Sequence, residues 1–121
     1  MQHPLRSLTK RRDFELVFKE GATSASKYLV IYARPNELSS SRLGLSVSKK
    51  TGKAVTRNRI KRLLREAMRK LLQEVPLNYD FIIVARRSSA EGELNDFIND
   101  IKRFLSRLSG KKSSYIPDKD L

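Results

Sequence analysis

The sequence predicts an α+β fold, in which one sheet and its packed helices form a small two-layer α/β sandwich. Apolar residues recur at helical spacing between Ile60 and Leu72, and they alternate with small or polar residues over 43–48. The chain has 121 residues and no cysteine, so it needs a single packed core and not a disulfide framework. We expect a single domain over residues 1–108 and a frayed polar tail over 109–121.

The first predicted element is a helix over about residues 9–20. Thr9 is its expected N-cap, and Gly21 is the residue expected to end it. Phe14 and Phe18 are four residues apart, so they lie one turn apart on the same face of this helix.

Two or three strands follow the first helix. Residues 22–26 form a short strand or an irregular edge, and residues 28–34 form a longer strand with Tyr28 and Tyr32 on one face. The next strand, over 43–48, has one apolar face and one face of small, hydrophilic residues that a ligand can approach closely. These small residues are Gly44, Ser46 and Ser48.

A basic loop over 49–56 leads into the longest predicted helix, over 57–74. Residues 81–86 are predicted as a strand buried on both faces, because they are almost entirely apolar. The last helix covers residues 93–108, with acidic residues at its start and basic residues at its end, as the helix dipole favours.

The charge of the chain indicates a polyanionic partner. Lysine and arginine number 26 against 13 acidic residues, which gives a formal net charge of +13 at pH 7. Residues 49–70 alone carry ten of these cations and one acid. Clustered like charges repel one another, so this distribution favours a nucleic-acid ligand over a merely solvated basic surface.

The long helix carries a ridge of cations along the edge of its apolar stripe. Arg57, Lys61 and Arg65 are spaced four residues apart, which places them on one side of the helix. Arg62 and Arg69 are expected on the far side. A solvated helix face normally alternates acids and bases, whereas no acid on this helix is placed to pair with the ridge. The ridge therefore indicates an anionic ligand.

Phe14 and Phe18 have two alternative roles. They can fill the core, or they can form an exposed stacking platform for unpaired bases beside the cations Arg11 and Arg12. Tyr32 raises the same question, because a tyrosine readily buries its ring and leaves its hydroxyl in water. The sequence leaves both alternatives open.

The sequence contains no recognisable catalytic site. His3 is the only histidine, which argues against a nucleophilic triad and against a histidine-rich metal site. No pair of carboxylates accompanies the basic segment, as acid–base or metal-assisted hydrolysis would require. The longest apolar run has six residues, far below the ~20 of a membrane span, and we expect a cytoplasmic protein.

Two consecutive segments resemble the bacterial ribonuclease P protein subunit. They are Arg42-Leu-Gly-Leu-Ser-Val-Ser-Lys-Lys50 and Gly52-Lys-Ala-Val-Thr-Arg-Asn-Arg-Ile-Lys-Arg-Leu-Leu-Arg-Glu66. Within the second segment, the Arg-Asn-Arg element is similar to the signature of that family. The first helix, with its paired phenylalanines, also fits the family pattern, so the resemblance covers about residues 8–108.

The resemblance implies a ribonucleoprotein enzyme that removes the 5′ leader from precursor tRNA by endonucleolytic hydrolysis. In this family the RNA subunit and the substrate hold the catalytic Mg²⁺, and the protein aids substrate and magnesium binding. The implied partners are the ribonuclease P RNA and the precursor tRNA leader, with no membrane and no protein partner. The implied fold is ribosomal protein S5 domain 2-like, in αβββαβα order, with a left-handed βαβ crossover around the Arg-Asn-Arg helix.

The resemblance also implies two sets of site residues, and no catalytic residue in this chain. In the family the signature helix faces the RNA subunit; the matching residues are Arg57, Asn58, Arg59, Lys61, Arg62 and Arg65. The leader binds in a cleft between the first helix and the sheet; the matching positions and rim cations are Arg11, Phe14, Phe18, Tyr32, Ser46, Ser48, Lys50, Lys53 and Arg87.

The sequence leaves two other functions open. An RNA-binding or ribosome-associated module without a catalytic RNA partner would share the charge and the helices, but it would need no cleft for a single strand. A protein-only nuclease is disfavoured by the missing carboxylate cluster. Cleavage assays of precursor tRNA, with the protein alone and with a ribonuclease P RNA, distinguish the three functions.

Overall fold

The computed structural model describes residues 5–74 and 78–113 of the chain. The helices are α1 (Arg11–Glu20), α2 (Ala54–Leu71) and α3 (Leu94–Ser113). The strands are β1 (Leu5–Ser7), β2 (Ala22–Ala25), β3 (Leu29–Pro35), β4 (Ser41–Ser46) and β5 (Tyr79–Ala85). Short 3₁₀ turns cover Lys49–Thr51, Leu72–Glu74 and Arg87–Glu91.

The strands form one mixed sheet in the order β1-β4-β5-β3-β2. β4 runs parallel to both β1 and β5, whereas β3 pairs antiparallel with β5 and with β2. Parallel neighbours need a crossover connection, and α2 supplies it between β4 and β5. The predicted α+β sandwich and its αβββαβα order are confirmed, with β1 added before α1; the left hand of the crossover stays a prediction.

α2 and α3 cover one face of the sheet and enclose the main core with it. Alternate residues of a strand face the same side, so Phe81 and Ile83 of β5 both point into this core. Each large apolar side chain removed from water contributes about 1.5–3 kcal/mol. Burial therefore explains the amphipathic pattern of both helices. The side chains with no exposure in this core include Leu29, Ile60, Leu64, Ala67, Met68, Phe81, Ile83, Phe97 and Ile101.

α1 lies on the opposite face of the sheet and crosses the strands. Near its start the Phe14 ring covers Gly44 of β4, and in its middle Val17 packs with Ile82 of β5. Near its end the helix reaches β3. A helix of ten residues is about 15 Å long, which is too short to cover a five-stranded sheet. Part of this face is therefore left uncovered.

An ion-pair network ties α1 to the sheet. The Asp80 side chain of β5 is only 4% exposed, and its two oxygens accept hydrogen bonds from Arg42 Nε at 2.8 Å and Arg42 Nη2 at 2.6 Å. Asn36 Nδ2 donates a further hydrogen bond to Asp80 at 2.7 Å. The remaining nitrogen of the guanidinium, Nη1, donates to Asp13 Oδ2 on α1 at 3.3 Å. One arginine thus joins β4, β5 and α1.

The network also shifts the ionisation of its members. Burial is the largest single influence on Asp80 and acts to raise its pKa, but the hydrogen bonds from Arg42 and Asn36 and the nearby guanidinium charges together outweigh it. The pKa of Asp80 therefore lies below the ordinary value of an aspartate. The hydrogen bond to Asp80 raises the pKa of Arg42. Both groups are charged at neutral pH, so the pair is fully formed there.

The helix ends differ from the predictions. α1 begins at Arg11, and its N-cap residue is Lys10, which makes no side-chain cap hydrogen bond. The prediction of Thr9 as the N-cap is therefore wrong, because the helix begins one residue too late for the Thr9 hydroxyl to cap it. α2 begins at Ala54, three residues before the predicted start, because the chain turns at Gly52, whose φ is 153°. α3 continues to Ser113, and the rest of the predicted frayed tail lies outside the described residues.

The strand positions also differ from the predictions. β1 is not predicted, because three residues are too few to show alternation. β4 begins earlier, at Ser41, whose buried Oγ accepts a hydrogen bond from the Tyr79 backbone N–H at 3.1 Å. The prediction that Tyr28 and Tyr32 share one face of the strand is wrong. Tyr28 precedes β3 and lies inside a turn closed by the hydrogen bond from the Ser26 backbone N–H to the Leu29 carbonyl at 2.8 Å. Its ring packs edge-on against Phe97 of α3 with centroids 6.0 Å apart.

Arg42→Ala is expected to lower the free energy of unfolding by about 3–5 kcal/mol, because it leaves a buried carboxylate without its partner. Glu20→Ala is the matched control. It removes the other ion pair between α1 and the sheet, Arg34 Nε to Glu20 Oε1 at 2.9 Å, whose side chains are 33% and 48% exposed. We expect this exposed pair to contribute less than about 1 kcal/mol. Urea unfolding at neutral pH measures both variants.

The stability difference between the parent and Arg42→Ala is expected to shrink in acid. The pKa of Asp80 is lower in the folded than in the unfolded chain. The stability that Asp80 contributes is therefore complete above the unfolded value of ~3.9 and is lost as the pH falls through the folded value. Equal losses from the two substitutions at neutral pH, or a difference that persists in strong acid, would contradict the role of the network.

Candidate nucleic-acid interface

A row of four residues across the sheet is left uncovered beside α1. Strand pairing aligns Ser46 with Val84, Val84 with Val30, and Val30 with Ala25. The row lies two residues away, on each strand, from the row beneath α1, so both rows face the same side of the sheet. The two valines are half-buried, and Ser46 and Ala25 are exposed. We call this row the floor; it is shallow, partly apolar and free of large side chains.

Three aromatic rings border the floor on the α1 side. The Phe18 ring meets the Tyr32 ring edge to face, with centroids 4.8 Å apart, and its centroid lies 6.3 Å from that of Phe14. Phe18 is 44% exposed, whereas Phe14 and Tyr32 are half-buried. Stacking on an unpaired base requires an exposed ring, so Phe18 is the best placed of the three for this role.

The predicted small face of β4 has a different use at each of its three residues. A Cβ atom on Gly44 would overlap the Phe14 ring. The ring therefore packs directly on this glycine, which is not open to a ligand. Ser46 is exposed on the floor. Ser48 lies beyond the end of β4, where it is exposed and immediately precedes the turn Lys49–Thr51.

The floor leads to a basic end of the sheet. β4 and β5 end there and β3 begins there, and the 3₁₀ turns that follow β4 and β5 contact each other. Lys50, Lys53 and Arg87 are all exposed at this end. Arg87 lines an open surface cavity of about 720 Å³ together with Lys27 and Arg86. Three of the four predicted rim cations therefore lie on one side of the molecule.

Arg11, the fourth predicted rim cation, lies at the start of α1 and forms an ion pair on that helix. Its side chain is 92% exposed, and its Nε lies 3.3 Å from Glu15 Oε2 one turn along the helix. An exposed pair of this kind contributes little. A more highly charged anion can therefore displace Glu15 from Arg11.

The signature residues of α2 lie in different surroundings. Arg59 Nη2 donates to the Gly92 carbonyl at 3.1 Å and to Glu93 Oε1 at 3.2 Å, so Arg59 links α2 to the start of α3. Arg57 is half-buried, and its Nε has no hydrogen-bond partner among the described residues. Lys61 is half-buried as well. The exposed members are Asn58, Arg62 and Arg65.

The predicted ridge of α2 extends further than expected. Lys61 and Arg65 line a cavity of about 190 Å³ with Phe14 and Gly44, and Arg65 lines a neighbouring cavity of about 80 Å³ with Arg69. The expectation that Arg69 lies on the far side of α2 is therefore wrong. Four-residue steps drift slowly around a helix of 3.6 residues per turn, so Arg69 follows Arg65 along the same side.

Sequence reasoning misses three cations of this surface. Arg6 belongs to β1, which is too short to show a pattern. Lys27 and Arg86 become neighbours only because the sheet pairs the start of β3 with the end of β5, where the Arg86 backbone N–H donates to the Tyr28 carbonyl at 2.8 Å. No local sequence signal announces this long-range pairing.

The described residues offer no metal-binding cluster. Within 5–74 and 78–113, no group of three or more histidine, aspartate or glutamate side chains could hold a metal ion. Across the same part of the chain, no helix combines the length and the apolar character that crossing a membrane would need. The surface instead presents exposed cations and an exposed aromatic ring, groups whose chemistry suits phosphates and unpaired bases.

The chain is similar to known proteins over most of its length. A protein-family model described as Ribonuclease P matches residues 3–109. The chain is 45% identical over 103 residues to the ribonuclease P protein component of Clostridioides difficile (strain 630), which covers 84% of this chain and 90% of that protein. The solved RNase P protein from Thermotoga maritima has a TM-score of 0.73 and 34% identity, covering 84% of this chain and 96% of that one. The Staphylococcus aureus RNase P protein gives 0.71 and 34%, covering 85% and 94%.

Phe14→Ala is expected to cost more stability than Phe18→Ala. The half-buried Phe14 ring fills the space over Gly44, so its loss leaves a cavity and we expect a cost of about 2–3 kcal/mol. Phe18 is 44% exposed, and we expect about 1 kcal/mol for its removal. Urea unfolding of the two variants measures the difference. A larger loss for Phe18 would identify it as the core residue and remove it as a stacking platform.

Proposed function

The chain belongs to the ribonuclease P protein family, and we propose that it binds the 5′ leader of precursor tRNA on the floor of its sheet. As the protein subunit of ribonuclease P, it works with a catalytic RNA, which carries out the endonucleolytic removal of the leader. The observation that carries the proposal is the exposed Phe18 ring beside a shallow floor that leads to a cluster of cations.

Each part of this surface suits one part of a single RNA strand. Phe18 presents a ring on which an unpaired base can stack, an interaction that contributes about 1–3 kcal/mol per base. The floor lets the sugar–phosphate backbone approach the sheet, and the Ser46 hydroxyl can donate a hydrogen bond to it. Lys50, Lys53 and Arg87 then attract the phosphates that follow along the strand.

The same features select an unpaired strand over a paired one. A ring can stack on a base only when that base is free of its own helical neighbours. The leader of a precursor tRNA is single-stranded, whereas the 5′ end of a mature tRNA is paired. The proposed contact therefore favours the substrate over the product, and it helps the enzyme release mature tRNA.

We assign the cations of α2 to the catalytic RNA. Arg65 is the exposed member of the ridge, whereas Arg57 and Lys61 are half-buried. Asn58 and Arg62 are exposed on the same helix and complete the surface. Arg59 is bonded to Gly92 and Glu93, immediately before α3, so its first role in this proposal is to hold α2 in place for the other five residues.

Mg²⁺ belongs to the RNA in this proposal. Magnesium prefers oxygen ligands and retains several waters, and the phosphates of the catalytic RNA and of the substrate supply such oxygens. When bound there, Mg²⁺ would supply activation of the attacking water and stabilisation of the charge that develops at the cleaved phosphate. The cations of this protein reduce the repulsion between the two RNAs, so less magnesium is needed to bring them together. We place this reaction in the cytoplasm.

The protein alone is expected to leave precursor tRNA uncleaved at every magnesium concentration, because the RNA subunit performs the hydrolysis. Added to ribonuclease P RNA, the protein is expected to lower the magnesium concentration that half-maximal cleavage requires. Gel-based cleavage assays with and without each component measure this. Cleavage by the protein after nuclease treatment and repurification would contradict the division of roles.

Phe18→Leu is expected to weaken the binding of leader-bearing precursor tRNA to the holoenzyme by roughly 5–30-fold, the equivalent of about 1–2 kcal/mol of stacking. Leucine retains much of the apolar volume and removes the ring, so the affinity for mature tRNA should stay unchanged. The ratio of the two dissociation constants is the measured quantity.

Leu38→Ala is the control for Phe18→Leu. Leu38 is 50% exposed but lines the cavity on the other side of α1, with Arg34 and Asp80. It should leave the ratio of the two dissociation constants at the parent value. If Phe18→Leu also leaves that ratio unchanged, at an unchanged melting temperature, Phe18 is not a base platform.

A further inference from the structure

A groove runs between α2 and the segment that joins β1 to α1. It consists of the two neighbouring cavities of about 190 Å³ and about 80 Å³, which share Ser7, Leu43 and Arg65 as lining residues. Its larger part reaches Phe14 and Gly44 at one end. The groove is thus separate from the floor, which lies on the side of Phe18.

Four cations line this groove and face no carboxylate. They are Arg6, Lys61, Arg65 and Arg69. No acidic residue is among the lining residues, and no member of the four forms an ion pair with another described residue. The guanidinium of Arg42, by contrast, is saturated with carboxylate partners. Unneutralised charges held this close repel one another, so the groove is suited to an anion.

The edge of β4 is open along this groove. β1 pairs with β4 only as far as Ser7 and Leu43, and the Leu8 backbone N–H then donates to the Leu43 carbonyl at 2.9 Å. Beyond that point Leu45 lines the groove, and no described strand pairs with β4 on this side. Ser7 and Thr9 add hydroxyl groups to the wall, and hydroxyls are common hydrogen-bond donors to phosphate oxygens.

The geometry points to a binding site for the phosphodiester backbone of the catalytic RNA in this groove, with Arg6 and Arg69 as contacts beyond the predicted ridge. Lys61, Arg65 and Arg69 follow one another in four-residue steps, each about 6 Å of helix rise. Their charges therefore form a line along which consecutive phosphates can lie. Arg6 approaches from the opposite wall, so a strand in the groove would be held from both sides.

The inference rests on the proposed function, because it takes α2 as the helix that meets the catalytic RNA. The leader is the less suitable occupant, since its platform Phe18 and the basic end of the sheet lie on the other side of Phe14. An acidic peptide strand paired with the open edge of β4 would use the same charges. Such a partner would leave the affinity for RNA independent of Arg6 and Arg69.

The test is the salt dependence of binding to ribonuclease P RNA in the absence of precursor tRNA. For the double variant Arg6→Ala/Arg69→Ala, the slope of log K against log salt should fall in magnitude by roughly 1.4–1.8, because each phosphate contact contributes ~0.7–0.9. Lys102→Ala/Arg107→Ala is the matched control, since it removes the same charge from exposed positions of α3. Its slope should stay within experimental error of the parent value.

Two further measurements separate this site from a structural effect and from the leader site. Removing unpaired cations relieves repulsion, so the melting temperature of the double variant at low salt should be unchanged or higher. Arg6→Gln/Arg69→Gln retains much of each side-chain stem and should give the same reduced slope as the alanine double variant. The preference for leader-bearing over mature tRNA should stay at the parent value, whereas Phe18→Leu lowers it. An unchanged slope, or an equal fall in the α3 control, would overturn the groove and leave the leader proposal standing.

Discussion

The position of α1 on the sheet depends on a single guanidinium. Arg42 binds both oxygens of the buried Asp80 and extends its third nitrogen to Asp13 of α1. It cannot rotate away without leaving a buried carboxylate unpaired, and that is costly. The direction in which α1 crosses the strands is therefore constrained close to its start. That direction places the Phe14 ring over Gly44 and leaves Phe18 at the border of the floor.

The acids of the chain are placed where the fold needs them, and many cations are left where RNA is proposed to bind. On one side of α1, Asp13 and Asp80 neutralise Arg42, and Glu20 neutralises Arg34. Around the groove and at the basic end, cations stand together without acids of comparable number. The net charge of +13 is thus unevenly distributed, and the resulting field favours polyanions at these two parts of the surface.

The elements with strong periodicity were predictable, and those that depend on long-range geometry were not. Burial dictates the apolar spacing of α2 and the apolar run of β5, so the sequence displays both. Whether Phe18 is core or platform depends on the direction of α1, and the sequence accordingly left two alternatives. The side of α2 on which Arg69 lies depends on how far residues spaced four apart shift around the helix axis over several turns. The prediction of the face on which Tyr28 lies was wrong, because a local turn at Tyr28 interrupts the alternation of β3.

The open edge of β4 has a consequence for the behaviour of the protein at high concentration. Exposed strand edges are templates on which a second chain can add a strand, and proteins that leave them bare tend to aggregate. Here β1 is only three residues long and carries Arg6, and the edge beyond it faces Lys61 and Arg65. Two copies that met edge to edge would bring like charges together in a low-dielectric contact. The repulsion between these cations thereby opposes edge-to-edge association of two copies. Added salt weakens this repulsion because it shortens the screening length.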